Sequence, residues 1–192
     1  MIAIIEYNAG NSRSVYNALN RLNCEAVITS DKEIISTADK VIFPGVGEAS
    51  SAMKFLRETG LNQTILNLKQ PVLGVCLGLQ LMCSYSEEND TECLGIFENR
   101  VLAFPSDEPV PHMGWNNFTK ADGALFEGIE ISDDVYYVHS YYAELSKESN
   151  AITQYMVGYS AALQKDNFYA TQFHPEKSGD VGSKILQNFI EL

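Results

Sequence analysis

"PVLGVCLGLQ", residues 71–80, passes from proline through a short β-branched run to a cysteine with glycine two positions away on either side. The apolar spacing then changes to that of a helix. A glycine-x-nucleophile-x-glycine stretch is the form taken by a strand that enters a helix through one tight turn. The turn residue sits in a strained backbone conformation, and Gly74 and Gly78 keep Cβ atoms out of the close approach of strand and helix. Such a junction belongs to a parallel sheet, with Cys76 at the carboxyl end of its strand, where open α/β sheets bind ligands. The helix N-terminus favours a thiolate. The N–H of Leu77, the following residue, can face a developing oxyanion. Buried cysteines are also common for packing alone, and Cys24, Cys83 and Cys93 read that way.

The neighbouring stretches fit the same frame. "IAIIE" (2–6) reads as a buried strand followed by the turn "YNAGN" (7–11), after which Val15, Leu19 and Leu22 recur at helical spacing. "EAVIT" (25–29) and "KVIF" (40–43) read as strands, and residues 49–58 as a helix with Ala52, Met53 and Leu56 on one face. "LGLQLMCSY" continues from Cys76 as a helix. The second half changes character. "NRVLAF", "DVYYVHSYY", "NAITQYMVGY", "SAALQ" and "FYATQFH" are short, aromatic and β-branched, and "QKDNFY" (164–169) reads as a hairpin turn. "GSKILQNFIEL" closes the chain as a helix with Ile185, Phe189 and Ile190 inward. The expectation is one α/β domain over residues 1–192, its central sheet mixed but mostly parallel, flanked by helices and carrying antiparallel additions.

Composition narrows the function classes. The 192 residues carry 13 Lys and Arg against 25 Asp and Glu, a net charge of -12, which repels phosphate backbones and argues against nucleic acid as a partner. No apolar run reaches the roughly 20 residues of a membrane span, and "MIAIIEY" lacks the basic start of an export signal. Four cysteines without CxxC spacing and three scattered histidines argue against a metal site. Reduced thiols and a cytoplasmic location are the expectation.

A thiol nucleophile needs a base, and "TQFHPEKS" (171–178) offers one. If the segment stays extended, His174 and Glu176 project from one face. Glu176 can then accept from one ring nitrogen while the other faces the thiol. Pro175 stiffens the link. A strand end turning into solvent is the plainer alternative. His112 and His139, in aromatic surroundings, read as structural groups or as the edge of a substrate site.

"GVCLGLQ" together with "QFHPEKS" resembles the class I (triad) glutamine amidotransferases. "PGVG" (44–47), "VPHMGWN" (110–116) and "VHSYY" (138–142) narrow the resemblance to the branch that serves imidazole glycerol phosphate synthase in histidine biosynthesis. The resemblance runs from "YNAGN" to "HPEKS" and implies a flavodoxin-like fold. It implies Cys76 as nucleophile, His174 as base and acid, and Glu176 as orienter. It implies oxyanion donors at Val46 and Leu77, and glutamine held by Gly47, Gln80, Ser140 and Tyr141, with no cofactor and no metal. It further implies a heterodimer with a (β/α)8-barrel cyclase that receives ammonia, facing Gly10, Asn11, Trp115, Tyr136 and Lys177.

Two departures and three rival readings qualify the match. Val46 stands where many triad amidotransferases carry a second glycine. Valine disfavours positive φ, so the Gly45–Val46 peptide is expected to rest with its N–H turned from the site until a partner favours the flipped form. Packing of Val46 in the core is the alternative. Asn8 replaces a usual glycine, and asparagine tolerates the left-handed region. Trp115, the only tryptophan, fits a partner face or core packing about equally. An amidotransferase of another synthase, a cysteine peptidase of similar fold and a non-catalytic phosphate-binding module are the rival readings.

Overall fold

A computed structural model describes residues 1–105 and 108–192. In chain order the first half holds β1 (Ile2–Ile5), α1 (Ser12–Arg21), β2 (Ala26–Thr29), α2 (Lys32–Thr37), β3 (Lys40–Gly45), α3 (Ala49–Thr59), α4 (Leu61–Leu66), β4 (Val72–Cys76) and α5 (Leu77–Met82). The second half holds β5 (Tyr85–Ser86), β6 (Thr91–Glu92), β7 (Arg100–Ala103), β8 (His112–Asn116), β9 (Lys120–Ala121), β10 (Val135–His139) and β11 (Tyr141–Ala143). It ends with β12 (Ser149–Tyr155), β13 (Val157–Lys165), β14 (Phe168–Thr171) and α6 (Gly179–Glu191). Among the described residues no helix is long and apolar enough to cross a membrane.

The main sheet has eight strands in the order β2-β1-β3-β4-β14-β13-β12-β9. From β2 to β14 all pairings are parallel, and from β14 to β9 all are antiparallel. Side chains alternate across it. Ala3, Ile5, Val41 and Phe43 join the core under α2 to α5, whereas Ile2, Ile4, Ile42, Leu73 and Val75 join the core under α1 and α6. Burial on both faces explains why these strands read as unbroken apolar runs. The expected mostly parallel α/β sheet with antiparallel additions is what the chain forms.

Two boundaries differ from the sequence reading. The helix after Cys76 stops at Met82 and does not run on through Tyr85. Ser84 leaves it because its N–H bonds Asn99 O at 3.0 Å and its hydroxyl bonds the carbonyls of Glu98 and Asn99. "NAITQYMVGY" is cut in two at Met156, whose φ of 55° makes it a hairpin turn between β12 and β13. "SAALQ" is then the continuation of β13. The hairpin expected at "QKDNFY" joins β13 to β14, with Asp166 at φ 53°.

The carboxyl ends of β1, β3, β4 and β14 lie at one edge of the sheet. They deliver Asn11, Val46 and Gly47, Cys76, and His174 to one region, with Gly45 paired opposite Cys76 and Thr171 opposite Val75. A separate ribbon, β8 paired with β10, stands beside this edge. Its outer face leaves Met113 63% and Trp115 58% exposed, so core packing does not account for Trp115.

Candidate active site

Cys76 closes β4 at φ 54°, ψ −106°, a region L-residues rarely enter. The two glycines earn their place by contact rather than by positive φ. A Cβ on Gly78 would stand 2.0 Å from the Phe43 carbonyl oxygen, and one on Gly74 would meet Met82 Sδ at 2.8 Å and the Gly78 carbonyl carbon at 3.0 Å. The elbow therefore needs bare backbone at both points. With α5 only six residues long, local N–H groups such as that of Leu77 matter more here than a helix macrodipole.

His174 is wholly buried, its backbone extended at φ −99°, ψ 95°. Nδ1 lies 2.8 Å from Glu176 Oε1. The two meet in a different way from that expected. Pro175–Lys177 forms a 3-10 turn instead of an extended segment, since the fixed φ of proline suits the first position of such a turn. A carboxylate only accepts, so Nδ1 carries the proton and the neutral ring presents a bare Nε2. That nitrogen is buried and makes no hydrogen bond. Burial lowers the proton affinity of His174, but charge at Cys76, followed by Glu176, outweighs that and raises its pKa to about 10 once the thiol proton has moved to the ring. A base awaiting a proton from a neighbouring thiol has this form, and the contact is expected to tighten only with substrate bound.

Glu176 has a second partner that sequence reasoning assigned elsewhere. Asn11, expected at a partner face, turns its amide Nδ2 onto Glu176 Oε1 and comes within 3.5 Å of His174 Nδ1. Reversing the amide would set its oxygen against the carboxylate, so the N–H side must face Glu176. Asn11 precedes α1 at φ 114° yet makes no side-chain cap for that helix. The strain expected at Asn8 falls at Asn11 instead, while Asn8 Nδ2 bonds Ser51 O at 3.2 Å. Behind the pair, a Cβ on Gly182 of α6 would lie 1.9 Å from Pro175 O, so the 3-10 turn rests directly on helix backbone.

A pocket of about 410 Å³ opens over the sulfur, and Val46, Gly47, Gln80, Ser140 and Tyr141 all line it, with Leu77 beside Cys76. Gly47 has φ 124°, whereas Val46 avoids positive φ and is 38% exposed, which excludes the core-packing alternative. Gln80 donates through Nε2 to Tyr141 O at 2.9 Å and to Gln172 Oε1 at 3.1 Å. Both amide protons are spent inside the protein, leaving Oε1 to meet a ligand. Glu88 also lines the pocket, accepts from Ala49 N at 2.7 Å and has its pKa raised by burial. It offers a carboxylate to an ammonium group. Sequence reasoning missed it because "SEEND" reads as a solvated acidic loop.

His139 forms another part of the lining. Its Nδ1 donates to Tyr141 O at 2.8 Å, which leaves Nε2 to accept from His112 Nδ1 at 3.3 Å. Burial lowers the pKa of His112 to about 4 and, as the leading cause, that of His139 to about 3, so both rings are neutral at pH 7. Tyr159 and Tyr155 pack around His112.

The remaining residues assigned to a partner face share one side of the site. Tyr136 pairs with Trp115 across the β8–β10 ribbon, their rings 5.9 Å apart, and Lys177 Nζ lies 5.9 Å from the Tyr136 ring. Tyr136 is tied to the segment carrying the histidine: its carbonyl accepts from His174 N at 2.9 Å and its N–H donates to Ser178 Oγ at 2.9 Å. Gly10 is exposed next to Asn11.

The family model described as "Glutamine amidotransferase class-I" matches residues 3–192. Imidazole glycerol phosphate synthase subunit HisH of Bacteroides fragilis (strain YCH46) is 57% identical over 194 residues, covering 100% of this chain and 99% of the relative. The subunit HisH of Methanothermobacter thermautotrophicus is 46% identical over 198 residues, covering 100% and 98%. A crystal structure of a glutamine amidotransferase superposes with a TM-score of 0.76 at 19% identity, over 100% of this chain and 98% of its own. The structure of PurLQS from Thermotoga maritima gives 0.72 at 16%, over 99% and 97%. At such identity these superpositions speak to the fold alone. A family model spanning nearly all of the sequence, and relatives aligned end to end, place the chain in one family: it belongs to the class I glutamine amidotransferases.

Proposed function

We propose that the chain is the glutaminase subunit of an imidazole glycerol phosphate synthase. It hydrolyses glutamine to glutamate and ammonia through Cys76, His174 and Glu176. The observation that carries the chemistry is the bare, buried Nε2 of a Glu176-held imidazole beside a sulfur at φ 54°. The full-length likeness to HisH subunits supports the choice of synthase.

The steps follow from the groups present. His174 takes the thiol proton, and the thiolate attacks the side-chain amide carbon of glutamine. Charge develops on the amide oxygen, to which the N–H of Leu77 donates and that of Val46 is added once its peptide turns. His174 returns the proton to the departing ammonia, then activates the water that clears the glutamyl thioester. Gly47, Gln80, Ser140 and Tyr141 hold the substrate, and Glu88 faces its α-ammonium group.

Ammonia released into bulk water takes up a proton and ceases to be a nucleophile. A (β/α)8-barrel cyclase docked on the face bearing Trp115, Tyr136, Lys177 and Gly10 receives it. That partner makes imidazole glycerol phosphate and an aminoimidazole carboxamide ribonucleotide in histidine biosynthesis. A biosynthetic subunit with four free thiols belongs in the reducing cytoplasm. Val46, with its valine-restricted backbone, gates the reaction: its N–H turns to the oxyanion only when partner and nucleotide bind. Loss of one such donor costs about 10²–10³ in rate.

The test is glutamate release by the purified chain alone, with the cyclase subunit, and with the cyclase and its nucleotide. The full mixture is expected to exceed the lone subunit by at least about 10². Equal rates would remove the gate, and no release in any mixture would remove the function.

A further inference from the structure

We propose that Gln172 is a further catalytic residue, its side-chain N–H bonding the sulfur of Cys76 and favouring the thiolate. The inference deepens the reading of Cys76 as nucleophile and rests on it.

Gln172 is fully buried at the end of β14, with Nε2 3.7 Å from Cys76 Sγ. Which end of its amide faces the sulfur follows from a chain of hydrogen bonds. The carbonyl of Tyr141 can only accept, so the group of Gln80 lying 2.9 Å from it is the nitrogen. The second N–H of that nitrogen points at Gln172, which must therefore present oxygen to Gln80. Its own nitrogen is left facing Sγ. Tyr141 O is held in turn by His139 Nδ1, so the orientation is locked on both sides.

The other neighbours of the sulfur explain why a donor matters. Cys76 is only 6% exposed, and Val138 O lies 3.9 Å from Sγ, where it accepts from the protonated thiol and repels the thiolate. Both leave a negative sulfur poorly solvated. Against them stand the imidazolium of His174 and the Gln172 amide. An N–H bonded to a charged acceptor is about twice as strong as one bonded to a neutral acceptor, so the contact strengthens as the thiol loses its proton. The titratable groups around the sulfur are His174 with Glu176 behind it, Tyr7, whose hydroxyl donates to Pro44 O, and His139 and Glu88 in the pocket lining. None of them substitutes for a neutral donor on Sγ.

The experiment follows alkylation of Cys76 by iodoacetamide against pH, located by peptide mapping, in the wild type, Gln172→Met and Gln172→Glu. The glutamate keeps an acceptor for Gln80 but places a carboxyl group where the donor was, so one negative charge is shared between oxygen and sulfur. Both variants are expected to move the alkylation midpoint alkaline by about one pH unit. Superimposed profiles for folded variants would overturn the proposal. In case neither variant folds, the wild type is read directly. The Gln172 side-chain N–H resonance should shift downfield with the midpoint of Cys76 alkylation and stay fixed in Cys76→Ser. A resonance that ignores that titration overturns the proposal equally. If wild-type Cys76 reacts no faster than Cys24 at pH 7 and glutamine does not protect it, the nucleophile assignment itself falls. A fast, protected Cys76 indifferent to Gln172 removes only the present inference.

Discussion

Replacing Cys76 by alanine and by glycine should reverse the usual order of their stabilities. The left-handed well lies near φ 57°, ψ 47°, and L-residues there are disfavoured by about 1–2 kcal/mol. Cys76, at ψ −106°, lies far outside even that well, which sets the strain nearer ~3 kcal/mol. Alanine retains the strain and glycine loses it. Against glycine stand about 0.5–1 kcal/mol of extra unfolded-chain freedom and ~0.8 kcal/mol for one buried carbon. The difference leaves Cys76→Gly more stable than Cys76→Ala by about 1 kcal/mol, or about 2–4 °C in midpoint for a chain of this size. At an unstrained site alanine would lead by a similar amount. Both proteins lack the sulfur, so urea unfolding followed by circular dichroism compares strain without chemistry. An alanine variant as stable as the glycine variant, or more so, would refute the claim that the turn is strained.

Gly78→Ala should fold poorly, because its methyl must push the Phe43 carbonyl back from 2.0 Å; a loss of ~3 kcal/mol or more is expected in urea unfolding. Asn11→Asp sets a second carboxylate against Glu176 and should lower glutamate release in the assembled synthase by at least about tenfold with little change in KM; an unchanged kcat would deny Asn11 any role there. His174 carries the clearest pH linkage. Burial alone would lower its pKa, but Cys76 and Glu176 raise it from 6.5 to about 10. Because the leading cause of the rise is charge on Cys76, thiol and ring share one proton. Up to about pH 8.5 the unfolded chain holds that proton too, on its thiol. The pair's contribution to stability is therefore lost only as the pH climbs from there toward 10. Cys76→Ser removes the leading cause of the rise and should flatten stability against pH in that window; parallel curves for the two proteins would contradict the coupling.

Much of the architecture could be read from the chain because local rules and tertiary context agree there. Strands buried on both faces announce themselves as apolar runs, and the elbow glycines are required by contacts within one βα unit. Where a boundary was misread, a distant partner had decided it: carbonyls of Glu98 and Asn99 draw Ser84 out of a helical pattern that periodicity would have continued. The same holds at the site. His174 and Glu176 stand two residues apart and their contact was foreseeable, though not the 3-10 turn that makes it. Asn11 and Gln172 reach their positions only when separate strand ends meet, and Glu88 enters the pocket lining from a loop that looks purely solvated. Periodicity carries no information about such encounters.

The clamp on Tyr136 has a mechanical consequence. Its backbone N–H and carbonyl are both bonded to the segment between His174 and Ser178, while its strand partner Trp115 projects from the outer surface. The β8–β10 ribbon therefore connects the imidazole backbone to a side chain in solvent, and a load on the indole is carried toward His174 through strand-pair and backbone hydrogen bonds. Amide hydrogens at 136 and 174 should consequently exchange together, as one opening event, and slow together when a load settles on that side chain.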